Sequence, residues 1–220
     1  EHATQQALSR APAPRARPVP WAQKADACVW RGSLTGAGCC AETNTRHALM
    51  LVGGIDARLT GTNAARTKYD PVRGVLHAAS PHAWPCAGRH NFVPLDQQQE
   101  RYRYMLIVDG HSAPDRLLPC LGGNQVLVRP RSHAHVLGPR TWLDAALKPD
   151  VHYRSVDAHL EGLTAALRAP HGEAMAARAR AFYDVRGSAK AIVDWWQLAL
   201  RCLPHVRCPS DDAEVVPALP

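Results

Sequence analysis

The run Tyr104-Met-Leu-Ile-Val-Asp109, closed by Gly110, limits the fold of this chain more than any other segment. An uninterrupted apolar stretch that stops at Asp-Gly fits a strand covered on both faces, and such strands belong to parallel sheets flanked by helices. Two further segments read the same way, Gln125-Val-Leu-Val128 and Val151-His-Tyr-Arg-Ser-Val156. An earlier strand over Cys28-Val-Trp-Arg-Gly-Ser33 runs into a glycine-rich turn. Between the strands, Arg116–Leu121 forms a short helix entered through Pro114 and closed by Gly122 and Gly123. Pro139–Leu147, with Trp142 and Leu143, forms another. Asp157 caps a helix carrying Leu160, Leu163 and Leu167 at helical spacing, and Glu173–Tyr183 and Ser188–Arg201 add two more. Thr45–Val52 is weakly helical, and residues 70–92 read as a long irregular loop or an insertion. Trp195 and Trp196 read as core packing rather than a stacking platform. Strands alternating with helices predict an α/β fold, a Rossmann-like open parallel sheet with crossover connections.

The remaining composition bounds the function. With 220 residues, 46% of them hydrophobic, the chain has material for one substantial core. No apolar run approaches the roughly 20 residues that span a bilayer. The chain opens on Glu1 without a signal peptide, so it is read as a fragment or a processed product. Pro12, Pro14, Pro18 and Pro20 make residues 1–20 an extended, disordered linker; the domain occupies 21–202, and 203–220 form a tail. A net charge of +7, with arginine far ahead of lysine, fits either a solvated basic surface or an anionic partner. Nucleic acid is set aside, because no dense basic run exists and only 6% of residues are aromatic. A discrete phosphate site fits better. The seven cysteines lack CxxC pairs. Cys202 and Cys208 are spaced to close a short loop, and an odd count leaves at least one thiol free or bonded elsewhere. His133 and His135 flank one alanine without a carboxylate cluster, so no metal is expected.

In an open parallel sheet, ligands sit beyond the carboxyl ends of the strands, with phosphates at glycine turns and helix starts. Two places answer that description and carry a cation. One is Trp30-Arg31-Gly32-Ser33, and the other runs from Asp109-Gly110-His111-Ser112 to Arg116. A guanidinium offers paired donors to a diphosphate and stays charged. Arg31 and Arg116, supported by Gly32, Ser33, Gly110, His111 and Ser112, would stabilise a departing nucleoside diphosphate without a metal. Asp109 and Asp115 in the same loop are read as turn and cap chemistry.

The order of motifs resembles glycosyltransferase family 90, the lipopolysaccharide-modifying, capsule-associated and protein O-glucosyltransferase-like group. The residues that carry the resemblance are Trp21-Ala-Gln-Lys24, Trp30-Arg-Gly-Ser33, Thr35-Gly36 and Arg46. They continue with Arg101-Tyr-Arg-Tyr-Met-Leu-Ile-Val-Asp-Gly110, Arg116-Leu-Leu, Trp142, Leu147-Lys-Pro-Asp-Val-His-Tyr153, Val156-Asp157 and the Ala-rich stretch from Ala176 to Phe182. The match runs from Trp21 to about Leu200. It implies the C-terminal, donor-binding half of a GT-B fold that transfers glucose or xylose from a UDP-sugar to a hydroxyl of a protein or glycan. Arg31 and Arg116 would hold the UDP diphosphate, with UDP-sugar as donor and no other cofactor. The resemblance also implies an endoplasmic reticulum or Golgi lumen location for a eukaryotic member.

This chain departs from that pattern in four ways. Pro114 stands where relatives commonly have serine, and it offers no backbone N–H. Glu100 and Gly123 stand where some relatives have paired cysteines, so that disulfide is absent. Asp150 replaces the aromatic residue usual before Val-His-Tyr. The family's catalytic aspartate, which takes the proton from the acceptor hydroxyl, belongs to an acceptor half upstream of Trp21, and no Asp or Glu here is assigned that role. The alternative reading is a catalytically incomplete donor-binding remnant that lacks the acceptor half and the base.

Overall fold

A computed structural model describes residues 19–36, 41–61, 68–70, 75–77, 91–110, 114–131 and 142–202. Five strands form one all-parallel sheet: β1 (Ala25–Ser33), β2 (Asp56–Gly61), β5 (Tyr102–Leu106), β6 (Val126–Pro130) and β7 (Tyr153–Val156), in the order β2-β1-β5-β6-β7. A separate antiparallel hairpin, β3 (Lys68–Asp70) with β4 (Val75–His77), falls between β2 and β5 in the chain. The fold is therefore α/β with an open, Rossmann-like sheet, as the apolar runs predict.

Strand alternation divides the apolar residues between two cores. Cys28, Trp30, Tyr104, Leu106, Val126 and Val128 point to one face, where Ala48, Leu49, Leu160 and Leu163 cover them. Val29, Met105, Ile107 and Leu127 point to the other, under Leu117, Cys120, Leu121, Leu143 and Leu147. The Gly172–Phe182 helix serves both: Met175 and Ala176 join the first core, Ala179 and Phe182 the second. It reaches both faces by passing the amino ends of β6 and β7. There Arg180 Nη1 donates to Gly122 O (2.7 Å) and Arg178 Nε to Val151 O (3.0 Å).

Besides the β3–β4 hairpin, two elements escaped the sequence reading for physical reasons. β2 lies at the sheet edge, and its Asp-Ala-Arg-Leu-Thr-Gly sequence buries chiefly Leu59, so no alternation is visible. The Leu95–Arg101 helix buries Gln98, while its one apolar residue, Leu95, is only partly buried against the second core. Gln98 is 3% exposed and donates from Nε2 to Val93 O (2.6 Å), so a polarity pattern cannot reveal this helix. The expected helix after Asp157 starts late. Asp157 Oδ1 accepts from His159 N and Glu161 N, and the α-helix proper is Leu163–Arg168, beyond Gly162 at φ 76°. Of residues 70–92, expected as an irregular loop, Val75–His77 form a strand, while 71–74 and 78–90 lie outside the described residues. The 1–18 part of the expected linker and the 203–220 tail also lie outside them.

Several motifs behind the family resemblance prove to be packing at the amino end of the sheet. Lys24 is buried, and its Nζ donates to Gly123 O and Asn124 O, each at 2.7 Å. Trp21 meets Tyr104 edge-on at 5.9 Å, beneath the Arg103 guanidinium. Replacing Lys24 by Met strands two carbonyl acceptors. Urea titration should show a loss of about 2–3 kcal/mol with no change in ligand affinity, since Lys24 sits at the opposite end of the strands from the crevice described next.

Candidate functional site

Along the sheet, chain order reverses between β1 and β5, because β1 is followed in sequence by β2 on one side and later by β5 on the other. That gap is the topological switch point, and ligands of open α/β sheets bind at the carboxyl ends of the strands beside it. Here the β1 end supplies Ser33 to Gly36, and the segment after β5 supplies Val108 to Gly110.

Arg46, in the first turn of the short Thr45–Leu49 helix, reaches into this gap. Its Nη1 donates to Ser33 O (2.7 Å), Nη2 to Val108 O (2.9 Å) and Nε to Asp109 O (2.9 Å). Asn44 caps that helix by accepting from Arg46 N (2.9 Å). The guanidinium carbon lies 5.7 Å from the centre of the Trp30 ring. Burial, followed by the nearby charge of Arg116, pulls the Arg46 pKa down to about 10.

The two glycines of the expected site serve this packing. A Cβ on Gly32 would lie 2.6 Å from the Trp30 ring, so Gly32 lets that ring lie along the strand. A Cβ on Gly110 would meet Thr35 Oγ1 at 2.9 Å and Arg46 Nη2 at 3.1 Å. Gly36, at φ +102°, is held in the left-handed region within reach of the same turn. Gly110→Ala is therefore expected to cost about 1–2 kcal/mol in denaturant titrations by overpacking the gap.

Arg31 and Arg116 are brought together, in unequal roles. Arg31 is 7% exposed, and a buried guanidinium requires a counter-ion. Asp56, at the start of β2, provides it: Arg31 Nη2 donates to Asp56 Oδ2 (2.7 Å), and Nη1 to Asp56 O (2.5 Å) and Trp30 O (2.9 Å). Tyr102 Oη donates to the same carboxylate oxygen (2.6 Å). Burial pushes the Asp56 carboxyl upward, but the hydrogen bonds from Arg31 and Tyr102 and the charges of Arg31 and Arg58 outweigh it and hold the pKa below 3.8. Tyr102 is moved upward, by burial and by Asp56. Arg116 sits at the N-cap position of the Leu117–Leu121 helix, and its Nη1 donates to Arg31 O (2.6 Å). That is its one side-chain hydrogen bond among the described residues, so the half-buried guanidinium keeps further donors.

Both arginines border a cleft of about 260 Å³, whose walls include Thr60, Phe92, Gln98, Asp115 and Pro119. Phe92 is 65% exposed at its rim. Asp56, Tyr102 and the cleft residues Thr60, Phe92, Gln98 and Pro119 were not foreseen as site residues; their meeting depends on which strands become neighbours, and no local signal encodes it. Ser33 contributes its carbonyl, as an acceptor for Arg46. His111 and Ser112 lie outside the described residues, as do His133 and His135. Cys28 and Cys120 are free and buried, their thiols pushed up to about 12 chiefly by burial, so they are inert. Cys208 of the expected Cys202–Cys208 loop lies outside the described residues. Among the described residues no three metal-ligating side chains converge, and no helix is long and apolar enough to cross a membrane.

No family model matches the chain. It is similar to uncharacterized protein 035R of Invertebrate iridescent virus 3, with 29% identity over 193 residues, 83% of this chain and 17% of that protein. It is also similar to uncharacterized protein 179R of Invertebrate iridescent virus 6, with 24% identity over 205 residues, 81% of this chain and 17% of that protein. The chain thus spans 17% of the length of these curated relatives. Among solved structures, the crystal structure of TarM superposes with a TM-score of 0.44 at 8% identity, over 84% of this chain and 37% of that one. At that score the superposition carries no argument about function.

Proposed function

We propose that this chain is the donor-binding part of a glycosyltransferase, taking a UDP-sugar whose diphosphate lies over the carboxyl ends of β1 and β5. The observation that carries the reading is the convergence of Arg31 and Arg116 beside one cleft, with Arg116 Nη1 on Arg31 O at 2.6 Å. Arg116 carries the direct contact with the phosphate oxygens. Arg31, fixed beneath it by Asp56, adds positive charge from the wall of the cleft. Such an arrangement supports departure of the diphosphate electrostatically as the bond to the sugar breaks. The resemblance of the motif order to glycosyltransferase family 90 supports glucose or xylose as the sugar and a protein or glycan hydroxyl as the acceptor. The base that takes the acceptor proton is sought in a longer polypeptide, since the viral relatives extend well beyond the matched region.

Calorimetry of the 220-residue chain with UDP and UDP-glucose tests the reading. Saturable binding of both is expected, and absence of binding by the folded protein sinks it. If UDP binds while the longer polypeptide that contains this chain transfers no sugar from UDP-glucose to any hydroxyl acceptor, the reading as a donor-binding remnant is the one that stands.

A further inference from the structure

The turn that leads into β7 closes on a histidine. His152 Nδ1 accepts from Lys148 N (3.0 Å), and His152 N donates back to Lys148 O (3.0 Å). Nδ1 can accept only while it carries no proton, so the ring is the neutral tautomer with its proton on Nε2. The turn needs such a clasp. Asp150 sits in it at φ 59°, a left-handed conformation that only glycine adopts without cost, and Asp150 N donates to Tyr153 O (2.8 Å). The charged groups that face the ring are both cations, Lys148 on its own turn and Arg178 on the Gly172–Phe182 helix. That helix also supplies Phe182, whose ring lies 5.1 Å from the imidazole, and Arg178 Nε, which donates to Val151 O (3.0 Å).

We propose that His152 is a proton-sensitive latch: acid turns Nδ1 from acceptor into donor, sets N–H against N–H at Lys148, and opens the turn between Leu147 and Tyr153. Protonation acts twice in the same direction. It removes the acceptor of Lys148 N, and it places a third positive charge beside Lys148 and Arg178. Burial, followed by those two cations, already draws the His152 pKa below its ordinary 6.5. Linkage sets the sign: the closed turn disfavours the proton, so the proton disfavours the closed turn. The latch is complete above about pH 6.5 and is released as pH falls through the folded value. Asp150 and Arg178, both held by the turn, border a groove of about 630 Å³ beside β7, with Arg154 and Met175 among its walls. Acid therefore loosens that rim. The latch lies at the amino end of β7 and shares no residue with the cleft bordered by Arg31 and Arg116, so it works independently of the donor reading.

NMR of the isotope-labelled 220-residue chain, from about pH 7.5 to about pH 4.5, tests the latch. The His152 ring and the Lys148 amide are expected to titrate with one midpoint, below 6.5. Through that midpoint the protection of the amide from exchange, relative to an unstructured chain at the same pH, should fall about three- to tenfold, the equivalent of one lost hydrogen bond. His152→Asn keeps an acceptor near the place of Nδ1 but takes up no proton, so its Lys148 amide should stay protected across the range. A wild-type amide that stays equally protected while the ring titrates overturns the proposal. So does a ring midpoint at or above 6.5, or a pH response that survives in His152→Asn. If His152→Asn does not fold, the two wild-type midpoints and the loss of protection decide alone.

Discussion

Replacing Arg116 by alanine is expected to weaken UDP binding by about 30- to 100-fold, the loss of one or two charge-assisted hydrogen bonds to phosphate. Its effect on folding should be small. The side chain is half-buried, and among the described residues it makes one hydrogen bond, to Arg31 O. Urea midpoints of variant and wild type should therefore differ by no more than about 1 kcal/mol in stability. Affinity and stability thus separate at this position. An Arg116→Ala chain that binds UDP as wild type does would refute the assignment of this residue to the diphosphate.

The second large effect falls on stability. Asp56→Asn removes the counter-ion of a guanidinium that is nearly fully buried and weakens the acceptor for Tyr102. Breaking such a pair from one side leaves an uncompensated charge, and with Asp56 partly exposed the cost is about 2–3 kcal/mol at pH 7, or a Tm lower by about 5–10 °C. The effect depends on pH in a definite direction. The Asp56 carboxyl in the folded state titrates below its unfolded value of 3.8, so the contribution is complete above about pH 5 and disappears as pH falls through the folded value. Melting curves of the two proteins should therefore converge in acid. A gap that stays constant from pH 7 down to pH 2 would show that the ion pair is not its source.

These two residues differ in how far the sequence reveals them. Arg116 stands just beyond the apolar Tyr104–Val108 run and its Asp-Gly stop, where a buried strand must end and turn, so its place near a carboxyl-end crevice is legible. Arg31 is legible for the same reason, as a cation at the end of a buried strand. Its partner is not. Asp56 belongs to an edge strand without alternation, and only the order β2-β1-β5 sets it against Arg31 and Tyr102. Arg31 is thus neutralised within the wall by Asp56, while Arg116 makes one side-chain hydrogen bond among the described residues. A lone cation cannot stay buried, and the sheet supplied its counter-ion.

Arg46 shows the limit most plainly. In the sequence it stands in the motif order and in a weakly helical stretch, with no site role assigned, and its three acceptors lie 13, 62 and 63 residues away. Local patterning determined what depends on neighbours along the chain: which segments are buried strands, where they stop, and that the sheet is parallel and covered by helices. Tertiary structure alone decided which strand ends share a crevice and which arginine reaches whose carbonyls. Hydrophobic burial is written into the period of the residues, whereas the pairing of buried charges and backbone acceptors depends on strand order, and no residue carries that alone.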